Sequence, residues 1–184
     1  MTKTEIGLEK SYRLLNPGSV VLVSVGDGEE DNLFSVTWNM PVRKDPPMAA
    51  ILSGKRHYSY PLIERSGELV LNVPDASIAD KVLGCGSISG RHDLDKFAHV
   101  GLTREPSLRV GAPRVAEAAA SLECRVCQVV DLGASSLLVM QILAAAASEE
   151  HCPDGEWRFD RGLELLHHLG GKRFCTSSRD LLLD

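Results

Sequence analysis

No segment of this 184-residue chain is apolar for long enough to cross a membrane as a helix. The longest apolar stretch, Leu137 to Ala147, falls far short of the ~20 residues a spanning helix needs. Met1 to Lys10 is charged and holds no apolar h-region, so no secretory signal is expected. Basic charge is also scarce: 20 Lys and Arg against 25 Asp and Glu leave a formal net charge of -5. That balance lacks the global signature of a nucleic-acid binder and gives little attraction to an anionic membrane surface. The expected compartment is the cytoplasm.

Cysteines are too few, and odd in number, for a disulfide framework. There are five: Cys85, Cys124, Cys127, Cys152 and Cys175. Cys124 and Cys127 have CxxC spacing, but no second CxxC or paired-His motif completes a zinc site. A thiolate-stabilising redox CxxC belongs at a helix N-terminus, whereas Leu122 to Val130 reads as a strand. Two small apolar residues are the simpler reading. Nucleotide-binding and hydrolytic motifs are missing as well: no GxGxxG follows a strand, and there is no P-loop, GxSxG elbow or HExxH. Gly26-Asp27-Gly28 is followed by acids and reads as a turn. His167 and His168 are adjacent and make a poor metal pair on a helix.

What the chain does have is an ordinary globular composition, 43% hydrophobic and 24% charged. At this length it can bury a core without covalent staples. It reads as one domain over 1–184, with a core of about 15–150 and a C-terminal extension, 151–184, packed on it. A β-branched run from Ser19 to Val25 and a second from Asn32 to Asn39 flank the Gly-Asp-Gly turn as a hairpin. Asp45-Pro46-Pro47 is a connection, and Met48 to Ser53 a further strand. Tyr60 to Arg65 predicts a short helix ended at Gly67, Glu68 to Val73 a strand, and Ile78 to Leu83 a helix stopping before Gly84. A polar loop leads to a short helix near Asp95. Leu122 to Val130 and Leu137 to Ala145 predict two strands joined by Asp131 to Ser135, despite the helix propensity of Ala144 to Ala147. Gly162 to Asp184 reads as short surface elements. Regular strand–helix alternation is absent, so an antiparallel barrel, mainly β with short helices, is the expected class.

Three polar segments carry candidate chemistry. In the first, Asn32, Phe34, Val36 and Trp38 face one way, and Leu33, Ser35 and Thr37 the other. Small polar groups beside an indole suit a flat heteroaromatic ligand; a core Trp with surface hydroxyls is the alternative. The second, Ser53-Gly54-Lys55-Arg56-His57-Tyr58-Ser59, gathers hydroxyls, two cations and backbone N–H groups around one turn. It suits a phosphate, and equally reads as a solvated basic turn. The third runs from Cys85 to Phe97. Ser89-Gly90-Arg91 offers a hydroxyl, open backbone and a guanidinium, and Lys96 serves a ligand or pairs with Asp93 or Asp95.

The ordered set of these pieces resembles the flavin reductase-like family of FMN-binding split barrels, especially its flavoredoxin branch. The pieces are N-x-x-S/T-x-x-W from Asn32 to Trp38, Asp45-Pro46-Pro47, Ser53 with Arg56-His57-Tyr58-Ser59, and Glu68 to Pro74. Cys85-Gly86, Ser89-Gly90-Arg91 and Asp95-Lys96-Phe97 complete it. Leu69 departs from the family's frequent Phe while keeping that face apolar, and Cys127 is given no family role. The resemblance implies a six-stranded antiparallel split barrel, a homodimer, and one FMN per subunit. It places Asn32, Ser35, Thr37 and Trp38 along the ring and ribityl chain, and Ser53, Arg56, Tyr58 and Ser59 at the phosphate. Ser89, Gly90 and Lys96 complete the pocket, and no contact is assigned from Gly170 to Phe174. The flavin carries the redox chemistry, with NAD(P)H as a transient co-substrate. A tightly held FMN carrier serving a redox partner protein, a non-enzymatic flavin module, and a barrel holding another ligand such as haem stay open.

Overall fold

The computed structural model describes residues 4–15, 17–90 and 94–181. Eleven strands are described; alternation and turns mark six of them in the sequence, and proline hides a seventh. The main sheet holds β1 (Val21–Gly26), β2 (Asp31–Val36), β3 (Asn39–Lys44), β4 (Pro47–Gly54), β5 (Glu68–Val73), β8 (Ala120–Asp131) and β9 (Ser135–Ala147). Their spatial order is β2-β1-β5-β8-β9-β4-β3, every neighbouring pair antiparallel. Six reversals make β2 and β3 run the same way, and only Thr37 and Trp38 separate them in the chain. One extended run therefore crosses from one sheet edge to the other. The sheet must curl on itself to allow this, which makes a barrel with a split between β2 and β3. A hydrogen bond from Leu52 N–H to the Trp38 carbonyl, 3.0 Å, spans the crossing.

Seven strands stand where six were expected. The additional one is β3, whose sequence NMPVRK hides it. Pro41 argues against a central strand, but β3 is last in the order, where a missing N–H is tolerated. Its register shifts between Pro41 and Arg43. Pro47, assigned to the connection, opens β4 as its first residue, another position where proline fits. The long β8–β9 hairpin extends past both predicted strands, and the alanine run lies within β9. Two small ribbons, β6 (Arg104–Glu105) with β7 (Arg114–Val115) and β10 (Leu165–Gly170) with β11 (Arg173–Ser177), lie outside the main sheet.

The barrel interior is closed by Val21, Val23 and Val25 of β1, Phe34 and Val36 of β2, Ile51, Leu69, Leu71, Leu138 and Met140. Leu69 is fully buried there. β1 is buried on both faces: Leu22 points outward into a second apolar cluster with Leu33, Ile78, Val82, Phe97 and Leu166. That cluster seats the helices α3 (Ala79–Ser87) and α4 (Lys96–Val100) and the β10 ribbon on the outside of β1 and β2. α1 (Tyr12–Leu15) forms part of the N-terminal lead-in. α2 (Ser59–Ser66) ends at Gly67, whose φ of 65° allows its N–H to reach the Ile63 carbonyl at 2.8 Å. No helix among the described residues is long and apolar enough to cross a membrane.

The helix expected to stop before Gly84 continues through Gly84-Cys85-Gly86 to Ser87. These glycines are there for closeness, not for breaking. A Cβ on Gly86 would lie 2.5 Å from Ser35 Oγ, and one on Gly84 3.1 Å from Val100 Cγ1. The CxxC pair is divided by the barrel wall: Cys124 is fully buried and Cys127 exposed. Burial pushes the Cys124 thiol up to about 12, so it stays protonated.

Polar side chains hold the segment before β8 onto the sheet. Asn72, 0% exposed, donates to the Leu22 carbonyl and Ser24 Oγ, both at 3.1 Å, and accepts from Val115 N–H at 2.8 Å. The buried carboxylate of Glu123 accepts from the N–H groups of Leu108 and Arg109 at 2.6 to 3.0 Å. Removing the Asn72 amide would orphan a buried donor and a buried acceptor at once. Asn72→Ala is expected to cost about 2 kcal/mol, read as a lower urea midpoint at unchanged slope. A change below ~0.5 kcal/mol would mean the network is not under strain of burial.

Candidate functional site

The three polar segments meet in one cleft of about 610 Å³. β2 forms its floor, the turn after β4 and the start of α2 one wall, and the end of α3 with Ser87 to Gly90 the other. The volume falls in the range of small-molecule and cofactor sites, about 300–1,000 Å³.

Each wall has a local cause. After β4 the chain turns tightly, with His57 N–H to the Gly54 carbonyl at 3.1 Å and Tyr60 N–H to the His57 carbonyl at 3.0 Å. That turn sets Arg56, His57, Tyr58 and Ser59 on the cleft. α2 then begins with no side-chain cap. Of its first three residues, Tyr60 already spends its N–H on the His57 carbonyl and Pro61 has none, so Ser59 is the residue of this turn that offers donors to the cleft. Lys55 turns away, its ammonium 2.7 Å from Asp131 in the β8–β9 hairpin. The turn therefore presents one cation to the cleft where two were expected.

Tyr58 is held from behind. Its hydroxyl donates to Glu30 at 2.6 Å, and Arg65 binds Glu30 at 2.9 Å and Asp27 at 3.0 Å. Hydrogen bonds from Tyr58 and Arg65 keep the Glu30 carboxyl below its ordinary range, so it stays an acceptor. Asn32 donates to Ser59 Oγ at 2.7 Å across the cleft floor. Gly90 closes over both residues: a Cβ there would sit 2.7 Å from the Tyr58 ring and 2.9 Å from Asn32 Oδ1.

Lys96 is 5% exposed, and its ammonium donates to the carbonyls of Leu33 at 2.9 Å and Cys85 at 3.2 Å. Burial pushes its pKa below the ordinary lysine value. The surface ion pair with Asp95 is not made. Asp95 caps α4 through Ala98 N–H and binds Arg104 at 2.7 Å, while Arg91, His92 and Asp93 lie outside the described residues. Cys85 lines the same wall, and burial raises its thiol to about 11.

Asn32, Ser35, Arg56, Tyr58, Ser59, Ser89, Gly90 and Lys96 thus share one cleft. Thr37 lines a second chamber of about 360 Å³, which shares the lining residues Ser35, Gly86 and Ser87 with the first. Two candidates stand apart. Ser53 is buried inside the barrel below the turn, and its hydroxyl finds no partner among the described residues. Trp38 lines neither chamber. It is 49% exposed and meets Tyr12 edge-to-face at 5.9 Å between ring centres. The two-residue crossing from β2 to β3 breaks the alternation that would have kept Trp38 with Asn32 and Phe34.

Sequence reasoning missed Gly86, Ser87 and Ile88 on the cleft, and His168, Gly171 and Phe174 on the second chamber. The signal for the first group was present in the paired glycines, which read as helix breakers. His167 and His168 lie on strand β10, not on a helix, and so face opposite ways: His167 meets Ser177, and His168 faces the chamber.

The comparisons agree with this architecture. A model of the flavin reductase like domain matches residues 13–173. The Escherichia coli K12 protein YddH is 34% identical over 179 residues, covering 95% of this chain and 94% of its own. An FMN-binding domain of a flavin reductase-like enzyme from Shewanella baltica superposes with a TM-score of 0.82 at 26% identity, covering 98% of this chain and 97% of that one. The flavoredoxin of Desulfovibrio vulgaris Miyazaki F shares the fold, with a TM-score of 0.85 at 22% identity over 100% of this chain and 97% of its own. A chain with this barrel, this cleft and this family match belongs to the flavin reductase-like family.

Proposed function

We propose that this chain binds FMN in the cleft and acts as an NAD(P)H-dependent flavin oxidoreductase. The observation that carries the reading is the convergence of Arg56, His57 and Ser59 on the turn after β4, at one end of a cleft lined elsewhere by small polar groups. The Shewanella baltica relative is described as FMN-binding.

The residues fit the group. A phosphate carries two negative charges and needs several donors; Arg56 and the hydroxyl and N–H of Ser59 would hold it. Four such bonds supply about 6–12 kcal/mol gross, enough after ordering costs for micromolar binding, about -8 kcal/mol. The absence of a Cβ on Gly90 and Gly86 keeps the cleft's far wall flat and close to β2. Asn32, Ser35 and Ser89 would meet the ribityl chain and the polar edge of the ring. Lys96 holds β2 and the end of α3 at their spacing and brings positive charge to the wall. Bound there, FMN supplies the redox chemistry, and the protein supplies orientation, exclusion of water and electrostatics.

We further infer that the protein works as a homodimer. Trp38 and, on edge strand β3, Met40 and Val42 expose large apolar side chains side by side. An uncovered apolar edge invites strand or face pairing, and a second copy offers the same surface in return. Met40→Lys with Val42→Lys is expected to convert a dimeric mass by light scattering to a monomeric one. A monomeric parent protein would remove this inference.

Arg56→Ala with Ser59→Ala is expected to weaken FMN by tenfold to a hundredfold in a fluorescence titration, and riboflavin by less than threefold, because only FMN has the phosphate. Equal losses for both would take the phosphate away from this turn. Gly90→Ala forces a Cβ against the Tyr58 ring, so it is expected to weaken both flavins at least tenfold with the barrel intact by circular dichroism. Wild-type flavin affinity in that variant would show that the Gly90 wall does not bound the ligand.

A further inference from the structure

Behind the wall that Tyr58 gives to the cleft, the β1–β2 turn carries a line of side chains that stand outside it. Asp27 builds the turn: its Oδ1 accepts from the N–H groups of Glu29 and Glu30, both at 3.1 Å. Its Oδ2 accepts from Arg65 Nε at 3.0 Å, and Arg65 Nη2 donates to Glu30 Oε2 at 2.9 Å. Glu30 Oε1 accepts the Tyr58 hydroxyl proton at 2.6 Å. The contacts run from the turn, through α2, to the Tyr58 ring. Tyr58 lines the cleft, and Asp27, Glu30 and Arg65 do not.

Stability does not explain this line. The side chains of Glu30 and Arg65 are 43% and 53% exposed, and exposed ion pairs contribute little. Ligand charge does not explain it either. Glu30 shares a recess with Arg56 and His57, the residues that meet at the phosphate end of the cleft, and a carboxylate there opposes an anion. What the carboxylate does supply is a strong, short acceptor for one phenol proton. With that proton given to Glu30, the O–H of Tyr58 points away from the cleft, and the ring is what faces it. The ring packs on the barrel core and stands 2.7 Å from where a Cβ on Gly90 would lie. Tyr58 then acts as a wall rather than as the phosphate donor that the family resemblance implies.

We propose that Glu30 is a positioning residue of the flavin site: through the Tyr58 hydroxyl it fixes the ring that walls the cleft, and so sets flavin affinity without touching the flavin. The proposal rests on the flavin reading. Asp27 and Arg65 hold the carboxylate in place, and Arg65 offsets its charge beside Arg56. Positioning and charge predict opposite signs. On charge alone, removing Glu30 tightens FMN, more at low salt than at high salt, and leaves riboflavin unchanged. By positioning, its removal weakens both, because the ring meets the part of the ligand that FMN and riboflavin share.

The test is a fluorescence titration of FMN and of riboflavin into the parent protein, Glu30→Ala, Tyr58→Phe, the double variant and Glu30→Gln, each checked for an intact barrel by circular dichroism. Glu30→Ala is expected to raise both Kd values about tenfold. Tyr58→Phe keeps the ring and loses the proton, and should give the same loss. The double variant should lose no more than either single one, because both remove one interaction. Glu30→Gln keeps a carbonyl acceptor for the phenol without the charge, and should bind both flavins within about threefold of the parent. In the flavin-free protein, Glu30→Ala and Tyr58→Phe should shift the Gly90 amide NMR signal alike. Tighter FMN with unchanged riboflavin in Glu30→Ala would overturn the proposal in favour of charge. Additive losses in the double variant, a loss confined to FMN in Tyr58→Phe, or unchanged Kd values would overturn it as well. Should Glu30→Ala not fold, Tyr58→Phe and Glu30→Gln carry the same comparison. A parent protein that takes up neither flavin fails the flavin reading itself and takes this role with it, whereas flavin uptake that ignores these variants fails the Glu30 role alone.

Discussion

The ammonium of Lys96 lies almost out of water, with no carboxylate partner among the described residues, and its protons go to the carbonyl oxygens of Leu33 and Cys85. Leu33 belongs to β2, Cys85 to α3, and Lys96 itself to α4. One buried charge therefore fixes the spacing of three elements that wall the cleft. Burying an ammonium costs several kcal/mol, and hydrogen bonds to a charged group return about 1.5–3 kcal/mol each. The arrangement holds only while both carbonyls stay in place, which makes the cleft wall a rigid unit. The missing Cβ of Gly86 against Ser35 completes the same contact from the α3 side.

Around that contact the charges are sorted by task. Acidic residues of the β1–β2 turn hold Arg65 and Tyr58, so the tyrosine ring stands still beside Gly90. Lys55 neutralises the β8–β9 hairpin, and Arg104 bridges Asp31 and Asp95 behind α4. These surface pairs add little stability individually. Their effect is to fix the walls around the cleft, where the turn after β4 places Arg56. A protein whose overall charge is negative can attract phosphates only through such local arrangements.

Much of this was readable from residue order. Alternation and turn chemistry located nearly every strand of the barrel, and the three polar segments do meet at one cleft. What escaped reading has physical causes. β3 was concealed by Pro41, which is a strand breaker except at an edge, and no local pattern says which strand will be the edge. α3 was cut short because Gly84 and Gly86 look like terminators, whereas their role is close approach to Val100 and Ser35, contacts of 16 and 51 residues' separation that only folding creates. Trp38 was grouped with Asn32 by strict alternation, and the sheet crossing turned it outward to Tyr12. Ser53 is on the inner face of β4, a choice fixed by barrel closure. The chamber formed by His168 and Phe174 needs the C-terminal ribbon to fold back over β1, through the bridge between Ser19 and His167, and adjacency in sequence carries no sign of that.

The central claim is that the turn after β4, the floor of β2 and the Ser87–Gly90 wall enclose one phosphorylated flavin. Crystals of the protein grown with FMN test it most directly. The account predicts difference density filling the cleft, with the phosphate against Arg56, Ser59 and the first turn of α2, and the ring running toward Ser35 and Ser87. Flavin density elsewhere on the molecule, or a phosphate at the opposite end of the cleft, would contradict it.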